Sequence, residues 1–270
     1  MTRKQVGLAL SGGVMRGAAH VGVIMALEQA GIPIDYVAGV SAGSIVGSLF
    51  CAGLSTARMV ELSAELRWRT IASPVWPREG LVSFAKLARW LIRIIGDRSF
   101  DELSIPFAAG VTDLETGAPV VLRDGKVAVA VHASCAVPGF VVPIRHQGRL
   151  LGDGGISFNL PAAAVRAMGA DYVIGVDLMQ PKLRQHGGPL RYGLTALEVM
   201  IERSGGGLDS VDCLITPELA GFTYFDGGRF EDLLPLGQRA AAAQLDTLRA
   251  ALREPAAAVL PPDTPQSSVR

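Results

Sequence analysis

Residues 39–43, with the sequence Gly-Val-Ser-Ala-Gly, match the Gly-x-Ser-x-Gly pattern of a nucleophile elbow. A run that predicts a strand precedes them and a run that predicts a helix follows them, as the pattern requires. The glycines allow a sharp turn and a close approach of helix to sheet. The Ser41 hydroxyl would then stand at a helix N-terminus, where the helix dipole favours developing negative charge. The pattern predicts that Ser41 is a catalytic nucleophile.

A second glycine-rich segment, residues 11–17 with the sequence Ser-Gly-Gly-Val-Met-Arg-Gly, lies between the first predicted strand and the first predicted helix. Its backbone N–H groups can point at an anion above the sheet edge that carries Ser41, as an oxyanion hole requires. A phosphate-binding loop would need a lysine where Ala18 stands. A dinucleotide-binding loop would need a glycine where Val14 stands. These departures argue against nucleotide binding.

A serine nucleophile needs a base, and histidine is the usual one. None of the histidines lies in a recognisable motif, and the first of them falls inside a predicted helix. Ser41, Asp153 and His186 follow the chain order of an α/β-hydrolase triad. In that fold, however, the elbow comes after several strands, whereas Ser41 follows the second. The four histidines are His20, His132, His146 and His186.

Strands and helices alternate along the first third of the chain, which predicts a parallel sheet with helices on both faces and chemistry at the carboxyl ends of the strands. Valine and alanine alternate over residues 127–131, which favours a strand on propensity alone. The predicted strands are 6–10, 34–38, 107–111, 119–122, 141–145, 149–152, 172–177 and 211–215. The first predicted helix ends near residue 30. The other predicted helices are 42–52, 56–67, 81–95, 161–168, 194–203 and 230–252.

Four sequence blocks occur together in a fixed order: residues 11–17, 39–43, 133–140 and 153–155. On these blocks the chain resembles a patatin-like phospholipase of the bacterial, neuropathy-target-esterase-like kind. The resemblance implies a single-domain α/β sandwich in which helices flank a mostly parallel sheet. It also implies a lipid acyl hydrolase that needs no cofactor and no metal.

The resemblance implies a Ser41/Asp153 dyad without a histidine, in which the Asp153 carboxylate takes the proton of the Ser41 hydroxyl. Burial would raise the basicity of that carboxylate. An aspartate followed by two glycines is also typical of a surface turn, which remains the alternative for Asp153. The resemblance further implies an oxyanion hole that contains Gly12, Gly13, Val14 and Arg16.

The chain departs from the family pattern at Val14 and Met15, where glycine and a small residue are common. If position 14 requires a positive φ, a valine there is strained, and the oxyanion hole would suffer. The resemblance also makes residues 127–134 a helix, and we prefer this prediction to the strand that the valine alternation favours.

Lysine plus arginine equals aspartate plus glutamate, at 25 each, so no overall charge attracts the chain to nucleic acid. The three cysteines are far apart and form no Cys-x-x-Cys pair, which indicates neither disulfides nor a zinc site. The first residues lack the apolar core of a signal peptide. We expect a cytoplasmic protein that can lie at the inner membrane surface.

We expect one acyl hydrolase domain over residues 1–254, with a cap-like insertion at 67–98 and a disordered, proline-rich tail at 255–270. All three tryptophans fall in the cap, together with seven basic residues. In its helix, one apolar face would pack on the body. The hypothesis is that a second face docks on anionic bilayers, and the alternative is that the helix is buried on both faces or forms a dimer seam. The second face contains Leu87, Trp90 and Ile94.

The sequence thus predicts hydrolysis of lipid or lysophospholipid esters through an acyl ester on Ser41. Transacylation to an alcohol would use the same intermediate. Two alternatives remain: a catalytically weak adaptor that keeps the fold to bind a regulatory partner, and an esterase with a Ser-His-Asp triad.

Overall fold

The apolar runs form one eight-stranded sheet, and helices pack against both of its faces. The computed structural model describes residues 3–179, 188–204, 208–222 and 229–253. The strands are Val6–Leu10 (β1), Tyr36–Val40 (β2), Ser73–Pro74 (β3), Val82–Ser83 (β4), Phe107–Asp113 (β5), Pro119–Leu122 (β6), Ile144–His146 (β7), Arg149–Asp153 (β8), Tyr172–Val176 (β9) and Cys213–Ile215 (β10). The helices are Ala18–Gln29 (α1), Ala42–Cys51 (α2), Thr56–Glu65 (α3), Trp68–Ile71 (α4), Ala85–Ile95 (α5), Val127–Ser134 (α6), Gly155–Phe158 (α7), Ala162–Ala167 (α8), Pro189–Arg203 (α9), Phe230–Ala242 (α10) and Leu245–Arg253 (α11).

Strand β1 is buried on both faces, which is why its sequence is a continuous apolar run. Successive side chains point to opposite faces of a strand. Leu8 and Leu10 therefore join the large core that α1 and α2 cover, whereas Ala9 joins the smaller core on the other face. Val165 of α8 closes that smaller core. The sheet is the middle layer of a sandwich between helices.

The sheet order is β10-β9-β1-β2-β5-β8-β7, and β6 pairs with β5 outside this path. The five strands from β10 to β5 are parallel to one another. Strands β6, β7 and β8 are antiparallel to theirs. The predicted α/β class with a mostly parallel sheet is confirmed.

Two strands, β2 and β8, pair with successive halves of the same edge of strand β5. Its first half pairs with β2, up to the pair Val40–Gly110, and its second half pairs with β8, beginning at Val111–Asp153. Strand β6 pairs with both halves and so occupies the opposite edge. Strand β8 therefore begins its pairing where β2 stops. This register brings the residue after Val40, which is Ser41, beside Asp153.

Residues 127–134 form helix α6, as the family resemblance implies and as the valine alternation does not. The alternation is uninformative because six of the eight residues of α6 are buried. The single helix predicted over 230–252 is instead two helices, α10 and α11, separated by a turn at 243–244. The turn lets Leu248 of α11 enter the large core.

The cap consists of α4, the short hairpin β3–β4 and α5, and α5 begins later than predicted because residues 82–83 form a strand. Trp90 has only 2% of its surface exposed, and Leu87 is fully buried. The hypothesis that this face of α5 meets a bilayer is therefore wrong, and the alternative of a helix buried on two faces is right. The large core covers both faces of α5.

Within the described part of the chain, no helix combines the length and the apolar character needed to cross a membrane. The predicted tail at 255–270 and the candidate base His186 lie outside the described residues.

Candidate active site

Ser41 stands at the tight turn between β2 and α2 with φ = 50° and ψ = −120°, a conformation that L-residues rarely adopt. A Cβ atom at Gly39 would lie 2.4 Å from the carbonyl oxygen of Gly43. One at Gly43 would lie 2.3 Å from the carbonyl oxygen of Leu10. Both glycines of the elbow are thus required by close backbone contacts. The surrounding structure holds Ser41 in a strained conformation on the turn, where only 8% of its surface is exposed.

The backbone N–H of Ser41 donates to the hydroxyl oxygen of Ser134 at 2.8 Å, and that hydroxyl donates to the carbonyl oxygen of Gly110 at 2.7 Å. Ser134 ends α6 and belongs to the block at 133–140, to which the sequence assigned no chemistry. Its hydroxyl ties the nucleophile turn to β5. Ser134 is therefore a support of the elbow that motif reasoning missed.

Asp153 ends β8 and has 4% of its surface exposed. The backbone N–H of Gly155 donates to its Oδ1 at 2.8 Å. Burial raises the pKa of Asp153 to about 6, although the Gly155 N–H and the Ser41 hydroxyl stabilise its charged form. The alternative of a surface-turn aspartate is excluded by this burial. At neutral pH Asp153 is a carboxylate that can accept a proton.

Of the four residues predicted to form the oxyanion hole, three line the catalytic cavity and the fourth, Arg16, does not. Gly12, Gly13 and Val14 line the same cavity as Ser41 and Asp153. The N–H of Gly12 is already engaged, because it donates to Oδ1 of Asn159 at 3.1 Å. The N–H groups of Gly13 and Val14 remain as candidate donors to an oxyanion.

Arg16 does not line the cavity. Its side chain is buried beneath the loop, and its Nε donates to the carbonyl oxygen of Gly13 at 3.4 Å. The guanidinium therefore contacts the loop from behind and fixes the orientation of the peptide that precedes Val14.

Val14 has φ = 52°, so the position does require the left-handed region that favours glycine. Its side chain is 36% exposed and separates the catalytic cavity from a smaller apolar pocket of about 40 Å³. The strain expected for a valine at this position is present in the structure.

No histidine among the described residues lines the cavity. His20 is fully buried, its Nε2 donates to the carbonyl oxygen of Ser11 at 2.8 Å, and burial lowers its pKa to about 4. Burial likewise lowers the pKa of His132 to about 4. His146 lies on β7 at the edge of the sheet. His20 supports the loop that carries the candidate oxyanion donors, and it stays neutral at physiological pH.

The cavity above Ser41 has a volume of about 120 Å³, and most of its wall is apolar. The cap contributes Trp68, and α9 contributes Leu197, Glu198 and Ile201. The remaining apolar side chains are Val137, Phe140 and Met179. No group of three or more potential metal ligands occurs in the ranges that the structure describes. The site combines a serine, a buried carboxylate and free N–H groups at the foot of an apolar cavity.

Residues 8–166 match the family model for patatin-like phospholipases. This match covers more than half of the chain and includes Ser41, Asp153 and the glycine-rich loop. The chain therefore belongs to the patatin-like phospholipase family.

Named relatives share the matched region. The chain is 34% identical over 188 residues to patatin-like phospholipase domain-containing protein 6 of Mus musculus, covering 66% of this chain and 14% of that protein. It is 37% identical over 177 residues to an uncharacterized NTE family protein of Mycobacterium bovis, covering 64% and 49%. It is 32% identical over 181 residues to lysophospholipase nte1 of Aspergillus fumigatus, covering 65% and 12%. The matched part thus spans at most about half the length of these relatives.

Solved structures share the fold at low sequence identity. VipD from Legionella pneumophila superposes with a TM-score of 0.53 at 13% identity, covering 91% of this chain and 67% of that one. The type III effector protein ExoU superposes with a TM-score of 0.51 at 14% identity, covering 92% and 53%. These similarities confirm the predicted patatin fold.

Proposed function

We propose that the chain is a serine acyl hydrolase of lipid esters, of the phospholipase A or lysophospholipase type. The observation that carries this proposal is the placement of Ser41 next to a buried carboxylate, Asp153, at the foot of an apolar cavity. Family membership supports the chemistry, and a relative named lysophospholipase supports the substrate class.

In the first half of the reaction, the Asp153 carboxylate accepts the proton of Ser41 while Oγ attacks the carbonyl carbon of the ester. The negative charge that develops on the carbonyl oxygen is stabilised by the N–H groups of Gly13 and Val14. Asp153 then gives its proton to the departing alcohol oxygen. The product of this half is an acyl ester on Ser41.

In the second half, Asp153 takes a proton from water, and the water oxygen attacks the acyl carbon. The same N–H groups stabilise the second oxyanion. Collapse of that intermediate returns the proton to Ser41 and releases the fatty acid. No step requires a cofactor, and histidine has no role in this scheme.

The apolar wall of the cavity supports a fatty acyl chain as the group bound above Ser41. Trp68, Phe140 and Leu197 offer large apolar surfaces to such a chain. Because the cap supplies Trp68, cap and body together would form the acyl-binding surface.

A fluorophosphonate probe tests the proposal, because only a serine with a working base and oxyanion hole labels rapidly. We expect rapid labelling of the wild-type chain and none of Ser41→Ala. Asp153→Asn keeps the size and the acceptor oxygen of the side chain but removes the base. We expect its ester hydrolysis to fall by about a thousandfold or more.

The same experiment separates the alternatives. A wild-type chain that fails to label while circular dichroism shows it folded would favour the adaptor. An inactive but folded His186→Ala would favour the triad, in which Asp153 orients the histidine, whereas near-normal activity of Asp153→Asn would contradict the dyad.

We also propose that the protein works in the cytoplasm and that its cap contacts anionic membranes. Trp76 lies in the loop of the β3–β4 hairpin and is 81% exposed. Arg89, Ile92 and Arg93 share an exposed face of α5. The two acidic residues of the cap are paired outside it, Glu79 with Arg145 and Asp97 with Lys126.

This pairing leaves an exposed cap surface that is basic and carries tryptophan, a composition suited to the headgroup region of an anionic bilayer. The three cysteines are free and buried, which supports a reducing compartment. Contact through the cap would bring lipid to the cavity that Trp68 lines.

A further inference from the structure

Asn159 follows α7, has 7% of its surface exposed and lines the catalytic cavity. Its Oδ1 accepts the hydrogen bond from the Gly12 N–H at 3.1 Å. Its own backbone N–H donates to the hydroxyl oxygen of Ser204 at 3.3 Å, and that hydroxyl is within donating distance of two carbonyl oxygens, that of Ile201 at 2.8 Å and that of Gly155 at 3.0 Å. Asn159 thereby links the oxyanion loop to the segment that follows Asp153.

The amide oxygen of Asn159 lies among the other catalytic groups. A Cβ atom at Gly12 would lie 2.7 Å from this oxygen and 3.4 Å from Cβ of Ser41. A Cβ atom at Gly155 would lie 3.1 Å from Oδ1 of Asp153 and 3.3 Å from the same amide oxygen. The nucleophile, the base and the oxyanion loop all approach one side chain.

At position 159, an amide side chain is better suited than a carboxylate. It accepts the Gly12 hydrogen bond without bringing a second negative charge near Asp153. A like charge there would disfavour the ionised base. Among the residues that the structure describes, the other titratable groups around Asp153 are Cys135 and Glu198, which approach from the end of α6 and from α9. Burial raises the pKa of the Cys135 thiol far above its usual range, so the thiol stays neutral.

We propose that Asn159 is a positioning residue that holds the Gly12 end of the oxyanion loop against the base, so that the next two N–H groups face the developing oxyanion. The proposal rests on the acyl hydrolase function proposed above. It assigns a role that neither the elbow nor the Asp-Gly-Gly block contains.

Two variants test the proposal on a soluble short-chain ester between pH 5 and pH 10. Asn159→Leu has a similar size but no acceptor, so we expect kcat to fall by about 10- to 100-fold at every pH while KM changes little. Asn159→Asp keeps the acceptor but adds a charge. We expect the pH midpoint of its kcat/KM to rise by about one unit or more, with activity returning towards wild type at high pH.

Ser204→Ala is the matched control, because it releases the backbone of Asn159 but leaves the side chain on Gly12; we expect kcat within about fivefold of wild type. Two results would overturn the proposal: Asn159→Leu with kcat within threefold of wild type, or Asn159→Asp inactive at every pH although folded. If Asn159→Leu fails to fold, the pH profile of Asn159→Asp decides alone. Absence of Ser41-dependent turnover in the wild-type chain would instead overturn the hydrolase proposal itself.

Discussion

In the proposed mechanism Asp153 must be ionised to accept the proton of Ser41, and burial raises its pKa to about 6. We therefore expect kcat/KM for a soluble ester to be constant above neutral pH and to fall about tenfold per pH unit below pH 6. A pH–rate profile measures this midpoint. A profile that stays flat down to pH 4 would contradict a base with a raised pKa.

Histidine also titrates near this midpoint, so the profile needs a control. The control replaces His146, which lies on β7 at the edge of the sheet, or His186 with alanine. We expect the midpoint to be unchanged and activity to stay within about tenfold of wild type. A midpoint that disappears with either histidine would identify that residue as the base.

The burial that raises the basicity of Asp153 also costs stability. The folded protein holds the carboxyl at a pKa of about 6, above its ordinary 3.8, so the unfolded chain ionises more readily. The stability that the neutral carboxyl provides is lost as pH rises from about 4 to about 6. At pH 8 we expect Asp153→Asn to be more stable than wild type by up to about 3 kcal/mol.

Urea denaturation at pH 8 and pH 4 measures this effect. The two proteins should differ at pH 8 and converge at pH 4, where Asp153 is neutral in the wild type. A variant that is less stable than wild type at pH 8 would show that the carboxylate contributes more to the fold than its burial costs.

Val14 adopts φ = 52° on the oxyanion loop. Val14→Gly and Val14→Ala both remove the branched side chain, but only glycine adopts this φ without strain. We expect Val14→Gly to be more stable than Val14→Ala by about 1 kcal/mol and at least as active as wild type. Parallel urea titrations and ester assays test this. A Val14→Gly enzyme that loses most of its activity would show that the valine is adapted to its place.

At the scale of elements, the cap presents different tryptophans to the core and to solvent. Trp76 is exposed in the hairpin loop, whereas Trp90 of α5 is buried. Trp76→Ala should therefore weaken binding to anionic vesicles while the melting temperature stays near that of wild type. Trp90→Ala should lower stability by about 3 kcal/mol or more, because it opens a cavity in the core.

Co-sedimentation with anionic and neutral vesicles measures the binding. It should weaken with salt, since each basic residue near the surface contributes about 1 kcal/mol that ions screen. Arg89 and Arg93 supply such charges on the exposed face of α5. Equal recovery on neutral and anionic vesicles, or binding untouched by Trp76→Ala, would refute membrane contact through this surface.

At the scale of the whole molecule, the sequence predicts those elements that are determined by interactions between residues close together in the chain. Strand β1 and helix α2 follow from buried runs and from the glycines around Ser41, which act over a few residues. The oxyanion loop follows for the same reason. Helix α6 does not, because buried valine and alanine satisfy the pattern of a strand equally well, and only the resemblance to a family decided between them.

Contacts between distant segments could not be read from the chain. Ser134 meets Ser41 across 93 positions, and Asn159 meets Gly12 across 147. Each is a common polar residue, and its distance in sequence from any motif does not indicate its role. The sequence left the burial of Trp90 open for a related reason, since an amphipathic pattern shows which faces of a helix are apolar but not which of them the fold covers.

The shared edge of β5 has a consequence for how the protein fails on heating. Val40, which precedes Ser41, and Asp153 pair with consecutive residues of β5, Gly110 and Val111. We therefore expect Ser41 and Asp153 to separate only when the sheet itself opens. The proposed nucleophile and base should then remain together up to the melting transition of the sheet. On heating, loss of activity and loss of β-structure should therefore occur at the same temperature. No folded but inactive state should be populated below that temperature.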